Sequence, residues 1–220
     1  MAFPRTIRAV VFDMDGLLID SETLVYEGMR RAVRHMGLDL PMSLFTKMIG
    51  LPLGDSFDTL KAHYGPDFDL DRFLIEERRE IEALFAEGVV LKAGVVELLD
   101  ALDAVGLPYA IATSSSRDSV EAHIGGHGLL ARFKAVVARD DVRRHKPNPD
   151  PFLAAAKALG VDPTDCLALE DSHNGVRAAH AAGMMTIMVP DLLDATEEMT
   201  EKTLHIVESL HEVRALLSAV

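Results

Sequence analysis

The chain has a single cysteine, no tryptophan and only 5% aromatic residues among its 220 positions. One thiol cannot form an internal disulfide, so the fold must rest on its core, which suits a reducing compartment. Cys166 lies in the apolar run Cys166-Leu167-Ala168-Leu169 and reads as a packed strand thiol rather than a nucleophile. Positive charge is also scarce, with 22 Lys and Arg against 35 Asp and Glu and a net charge of −13. That balance excludes the basic footprint by which proteins hold nucleic acid. Any anionic substrate must then be met by a local pocket of cations or amides. No apolar stretch approaches the ~20 residues of a membrane span, and the N-terminus carries no signal-type apolar segment. No membrane partner is therefore expected, and the cytoplasm is the expected compartment.

What is present is ample apolar content, 49% of the residues, enough for one large domain or a domain with an insert. Val10 to Phe12 read as a buried parallel strand. Ser21 to Met36 has helical spacing and stops at Gly37. From Pro41 to Glu87 the chain reads as mostly helical, with breaks at Gly50-Leu51-Pro52 and Gly65-Pro66. Past Gly88 strands and helices alternate. Tyr109–Thr113, Ala135–Ala138, Cys166–Leu169 and Met185–Val189 are the expected strands. Helices are expected over 94–105, 119–127, 151–159, 174–182 and 207–217. This order predicts an α/β fold, a doubly wound parallel sheet with right-handed crossovers. Residues 1–17 and 89–220 would form this Rossmann-like core. Residues 18–88 would form an inserted α-helical cap projecting over the strand ends as a lid.

The chemistry is concentrated where strands end. Val10-Val11-Phe12-Asp13-Met14-Asp15-Gly16 closes an apolar strand with two carboxylates one residue apart. Bare acids there are costly unless a cation or a reaction uses them, and open α/β sheets bind ligands at such ends. Ala112-Thr113-Ser114-Ser115-Ser116 runs from strand into hydroxyls, Lys146 precedes Pro147, and Leu169-Glu170-Asp171 ends a strand in two further acids. Each has a plainer reading. The serines could cap the next helix, Lys146 could be a solvated lysine, and Glu170 and Asp171 could be acids favoured at a helix N-terminus. Four such strand ends in this order favour a shared site.

These motifs resemble the haloacid-dehalogenase-like hydrolases, in particular the helical-capped phosphatases close to β-phosphoglucomutase and pseudouridine-5′-phosphatase. The likeness rests on Asp13-Met14-Asp15-Gly16, the hydroxyl run at Ser114, Lys146 before Pro147, Glu170-Asp171, and Asp20-Ser21 leading into the insert. It implies a Mg2+-dependent phosphatase, a monomer acting on a small phosphorylated metabolite such as a sugar phosphate or nucleoside monophosphate. Asp13 would be the nucleophile that forms an aspartyl-phosphate, and Asp15 the general acid and base. Asp13, the backbone carbonyl of Asp15, and Asp171 would hold Mg2+, with Glu170 a direct or more distant ligand. Ser114 and Lys146 would hold phosphoryl oxygens. Backbone amides near Gly16 and Ser115 would form an anion nest.

Two departures bear on the mutase alternative. Where β-phosphoglucomutase-like enzymes carry a histidine and an arginine in the cap, this chain has Val25 and Leu53. A second phosphate would lack its cation. A phospho-receiver signalling domain shares the acids, hydroxyl and lysine, but is shorter and has no helical insert. His123 and His127 have metal-ligand spacing but no third partner, and read as surface histidines. The acidic positions Asp191, Asp194, Glu197, Glu198 and Glu201 read as a solvated face, with a loop at the pocket rim as the alternative.

Overall fold

The computed structural model describes residues 3–51 and 53–218. Pro52, one of the expected helix breaks, lies outside the described residues. The chain divides into two compact units, one built from residues 1–19 and 91–220 and the other from residues 20–90.

The larger unit is built on a six-stranded parallel sheet. Its strands are β1 (Ala9–Phe12), β2 (Tyr109–Ala112), β3 (Ala135–Val137), β4 (Cys166–Glu170), β5 (Met185–Met188) and β6 (His205–Ile206), in the order β3-β2-β1-β4-β5-β6. Successive connections run outward from β1 on one side and from β4 on the other. The β1–β4 seam is thus the place where strand order reverses and where such sheets open a crevice. Its register sets Phe12 against Leu169, which puts Asp13 level with Glu170.

The central strands are buried over their whole length because helices cover both faces. Those helices are α5 (Val95–Ala104), α6 (Arg117–Gly126), α7 (Asp150–Leu159), α8 (His173–Ala181) and α10 (Leu210–Ser218). One face is lined by small residues, with Val11, Ala110, Ala112 and Ala168 meeting Phe152, Ala155 and Ala156 of α7 and Ala178 and Ala179 of α8. The other face carries an aromatic cluster in which Phe12, Tyr109 and Phe133 pack edge to face at 5.1–6.0 Å. Cys166 is buried in β4, where burial pushes its thiol up to about 11 and leaves it inert as a nucleophile.

The doubly wound parallel sheet expected from the alternation is therefore present, with two elements the sequence reading lacked. The strand β6 is two residues long, too short to show a period. The helix α9 (Glu197–Lys202) falls in the acidic stretch read as a solvated face, and is started by Thr196, whose hydroxyl accepts from the Met199 amide at 3.4 Å. The helix expected at 119–127 starts at Arg117, because Ser116 caps it by accepting from the Ser119 amide at 3.2 Å.

The smaller unit contains α1 (Ser21–His35), α2 (Met42–Met48), α3 (Leu53–Tyr64) and α4 (Leu70–Glu87), with no strand among its described residues. The two long helices pack on each other, and Phe73 and Leu84 of α4 are buried with Met29, Ala32 and Val33 of α1. A line of rings, Tyr64 on Phe68 at 5.0 Å and Phe68 on Phe73 at 5.6 Å, ties the loop before α4 to the helix. Asp69 starts α4 two residues ahead of the charge-dense stretch by accepting from the Arg72 amide at 3.0 Å.

Glu77 on α4 is half-buried, and burial pushes its carboxyl up to about 7, with Arg78 pulling the other way. Its folded value exceeds its unfolded value near 4.5, so the folded state keeps a proton that the unfolded state has released. The stabilising contribution is complete below the unfolded value and is lost as pH rises through about 7. Glu77→Gln is accordingly expected to be about 1–3 kcal/mol more stable than the parent at high pH. The gain should fade as pH falls towards the unfolded value. Urea denaturation at both pH limits checks this, and equal midpoints at high pH would refute it.

Candidate active site

The site is assembled at the carboxyl ends of β1, β2 and β4. Asp13 follows β1 directly, Glu170 is the last residue of β4, and Asp171 follows it. Lys146 reaches them from the loop before α7, where its ammonium lies 5.0 Å from the centre of the Phe152 ring. It donates to Asp13 Oδ1 and, at 2.5 Å, to Glu170 Oε1. Relative exposure is 6% for Asp13, 0% for Glu170 and 8% for Asp171, so two acids share one ammonium away from water with a third beside them. Burial pushes the Asp13 carboxyl upward; Lys146 opposes the rise, while Glu170 and Asp15 add to it. Burial by itself would lower Lys146, but Asp13 and Glu170 hold it above its ordinary value, so it stays charged.

Glu170 is saturated. Its second oxygen accepts from the amides of Asp171 and Ser172 at 3.2 Å each and from the Ser172 hydroxyl at 3.0 Å. That hydroxyl also accepts from the Gly175 amide at 3.1 Å, starting α8. Gly175 leaves the room Glu170 occupies, since a Cβ there would lie 1.8 Å from the carboxyl carbon. Gly175, in the first turn of α8, thus shapes the acid site by leaving space for Glu170.

Asp15 faces the hydroxyls after β2. Its Oδ2 accepts from Ser115 Oγ at 2.6 Å and from Thr113 Oγ1 at 3.3 Å. Ser114 is open to solvent at the end of the same strand, and Ser116 is spent on capping α6. Near the expected anion nest, the amides of Gly16 and Ser115 themselves are engaged within the chain. The Gly16 amide donates to the Ile19 carbonyl at 2.9 Å, closing the turn that follows Asp15, and the Ser115 amide donates to Thr113 Oγ1 at 3.0 Å. Gly16 has another reason to be glycine. Its φ is +78°, and a Cβ there would come within 2.2 Å of Asp171 Oδ2 and 3.3 Å of Asp191 Oδ2.

Three participants escaped the sequence reading. Thr113 was legible, since it stands between strand and serines. Asp191 follows β5 as the other acids follow their strands, and of the two readings of its acidic stretch, a solvated face or a rim loop, its side chain fits the second. Its Oδ1 accepts from Lys92 Nζ at 2.6 Å, and Lys92 itself gave no signal.

Two groups of acidic and imidazole side chains among the described residues could hold a metal ion. The buried one is Asp13, Glu170 and Asp171, whose ligand atoms lie within 4.8 Å of one another. An all-carboxylate oxygen set of this kind suits a hard cation such as Mg2+. The other, His35, Glu76 and Glu80 in the smaller unit, is more exposed and is already matched by Arg79 and Arg31. His123 on α6 and His127 just past its end belong to neither group.

The haloacid dehalogenase-like hydrolase family matches residues 10–189. The chain is 38% identical to YhcW of Bacillus subtilis over 96% of each protein. It is 32% identical to the fructose-1-phosphate phosphatase YqaB of Escherichia coli, covering 82% of this chain and 95% of that one. A haloacid-dehalogenase-family hydrolase from Deinococcus radiodurans, solved with bound phosphate and sodium, superposes with a TM-score of 0.82 at 27% identity, over 97% and 96% of the two chains.

Proposed function

Since the chain belongs to the haloacid dehalogenase-like hydrolase family, we propose that it is a Mg2+-dependent phosphatase of small phosphorylated metabolites, working through an aspartyl-phosphate. The observation that carries this reading is the buried contact of Asp13 with Lys146, beside Glu170 and Asp171 and one residue from Asp15.

A phosphate monoester is dianionic and repels a carboxylate, so its charge must be answered before attack. Lys146, kept charged by its two acids, binds a phosphoryl oxygen, and the exposed hydroxyl of Ser114 binds another. Asp13, Asp171 and the Asp15 carbonyl are the groups to hold Mg2+, with Glu170 steadying Lys146 and the Asp171 amide. Bound Mg2+ supplies further neutralisation of the phosphoryl group. A carboxylate oxygen of Asp13 forms the new bond to phosphorus as the ester bond breaks. Asp15, oriented by Ser115 and Thr113, passes its proton to the departing alkoxide. It then takes a proton from water, which adds to the phosphorus, releases inorganic phosphate and returns the Asp13 carboxylate.

The groups around Asp13 recognise phosphate and leave the rest of the ester unread, so selectivity is assigned to the insert, with residues 50–56 as its leading segment. A sugar phosphate or a nucleoside monophosphate fits the names of two relatives, the fructose-1-phosphate phosphatase above and a probable pseudouridine-5′-phosphatase of Drosophila melanogaster, 35% identical over 90% of this chain. The mutase alternative is weakened by Leu53, an uncharged residue 68% exposed at the start of α3. The test is phosphate release from a panel of phosphorylated metabolites, with Mg2+ and with a chelator. One substrate class should stand far above the rest, and chelation should silence it. Isomerised sugar phosphates in place of free phosphate would overturn the phosphatase reading in favour of a mutase.

A further inference from the structure

Asp191 is a fifth acid beside the site, and nothing in the chemistry above uses it. It follows β5 after Val189 and Pro190, and the Val189 amide donates to the Glu170 carbonyl at 2.7 Å. The segment is thereby pinned to the strand that ends in Glu170 and Asp171. The Asp191 side chain is only 10% exposed. Its Oδ1 is tied to Lys92, while its Oδ2 is buried and has no hydrogen-bond partner. That oxygen points to Gly16, where the missing Cβ leaves Asp171 Oδ2 and Asp191 Oδ2 converging on one small space.

A buried carboxylate oxygen with no donor, facing another carboxylate, carries a desolvation cost that the fold does not relieve. A hydrogen-bond donor that is itself drawn to carboxylates would relieve it. Mg2+ keeps several of its waters when proteins bind it, and those waters are strong, polarised donors. Outer carboxylates that receive such hydrogen bonds commonly set the affinity of a site.

We propose that Asp191 is a positioning residue of the metal site, its Oδ2 accepting a hydrogen bond from a water on Mg2+ held by Asp13 and Asp171. Lys92 holds the carboxylate in place through the other oxygen. The inference rests on the metal reading given under the proposed function. It adds that metal affinity depends on a residue outside the strand-end motifs.

The test is calorimetric titration of the metal-stripped full chain with Mg2+ alone and with Mn2+ alone, for the parent, Asp191→Asn and Lys92→Met. Asp191→Asn should weaken both metals about 10- to 100-fold. Its metal-free melting temperature should not fall, because one of the crowded acids has lost its charge. Lys92→Met keeps the carboxylate but frees it, and should weaken binding by a smaller, several-fold factor. Unchanged affinity in a folded Asp191→Asn overturns the inference, as does a loss of metal-free stability that parallels the loss of affinity. If Asp191→Asn does not fold, Lys92→Met decides, and unchanged affinity there overturns the inference equally. A parent chain that binds neither metal would remove the metal reading itself. Normal parent binding with unaffected variants removes only the role of Asp191.

Discussion

Asp13→Asn is expected to lower phosphate release by roughly four to six orders of magnitude, the scale seen when a nucleophile is removed from a covalent mechanism. Asparagine fills the same volume beside Lys146, so the loss should not come from unfolding. Burial already disfavours the charged form of this carboxyl, and the variant should melt no lower than the parent. Asp15→Asn separates the two carboxylates. With an aryl phosphate, whose leaving group needs no proton, it should still transfer the phosphoryl group to Asp13. It should then fail to discharge it, because no base remains to activate water. Acid-quenched, radiolabelled protein reads this out directly. Label should accumulate on Asp15→Asn and be absent from Asp13→Asn. Label on Asp13→Asn would displace the nucleophile to another residue.

Lys146→Met is expected to cost about 3–5 kcal/mol of folding stability, because it leaves buried carboxylates without their cation. The stem of methionine can still pack on Phe152, so the loss isolates the charge. Glu170 is the more exposed to this change in energetic terms, being inaccessible to solvent and bonded to Lys146 through Oε1. Protonation would relieve the unpaired Asp13, whose carboxyl burial already raises, so the deficit should shrink as pH falls. Turnover should drop about 100- to 1,000-fold for the lost phosphoryl contact. Denaturation across pH, with Asp13→Asn/Lys146→Met alongside, checks the origin. The double variant should recover part of the stability because one acid has gone. A Lys146→Met protein as stable as the parent would mean the ammonium does not support the buried acids.

The sheet was readable because five of its strands are apolar runs, three of them ended by hydroxyls or acids, and because helices fall between them. The strand β6 was not, since two residues carry no period, and α9 was obscured because its acids satisfy a solvated face and a capped helix equally well. Asp13, Lys146 and the Glu170-Asp171 pair are far apart in the chain and still suggested one another, because each stands at a strand end or before a helix. Lys92 and Asp191 did not. A lysine followed by alanine and glycine has no distinguishing neighbours, and its meaning comes only from where Asp191 is held. The partners of the Gly16 and Ser115 amides were not legible for a related reason. Sequence shows that a turn is present, whereas the partner each N–H takes depends on how tightly that turn closes.

The two places where the chain crosses between units lie side by side. Ile19 forms an antiparallel bridge to Leu91, and the Asp20 amide donates to the Val90 carbonyl at 2.9 Å. Every strand of the sheet lies outside residues 20–90. The stretch between is therefore a closed loop in the topological sense, and its length and content are unconstrained by the ends it must join. A change of length within that stretch can leave the paired ends, and the strands that carry the acids and the sheet's register, as they are.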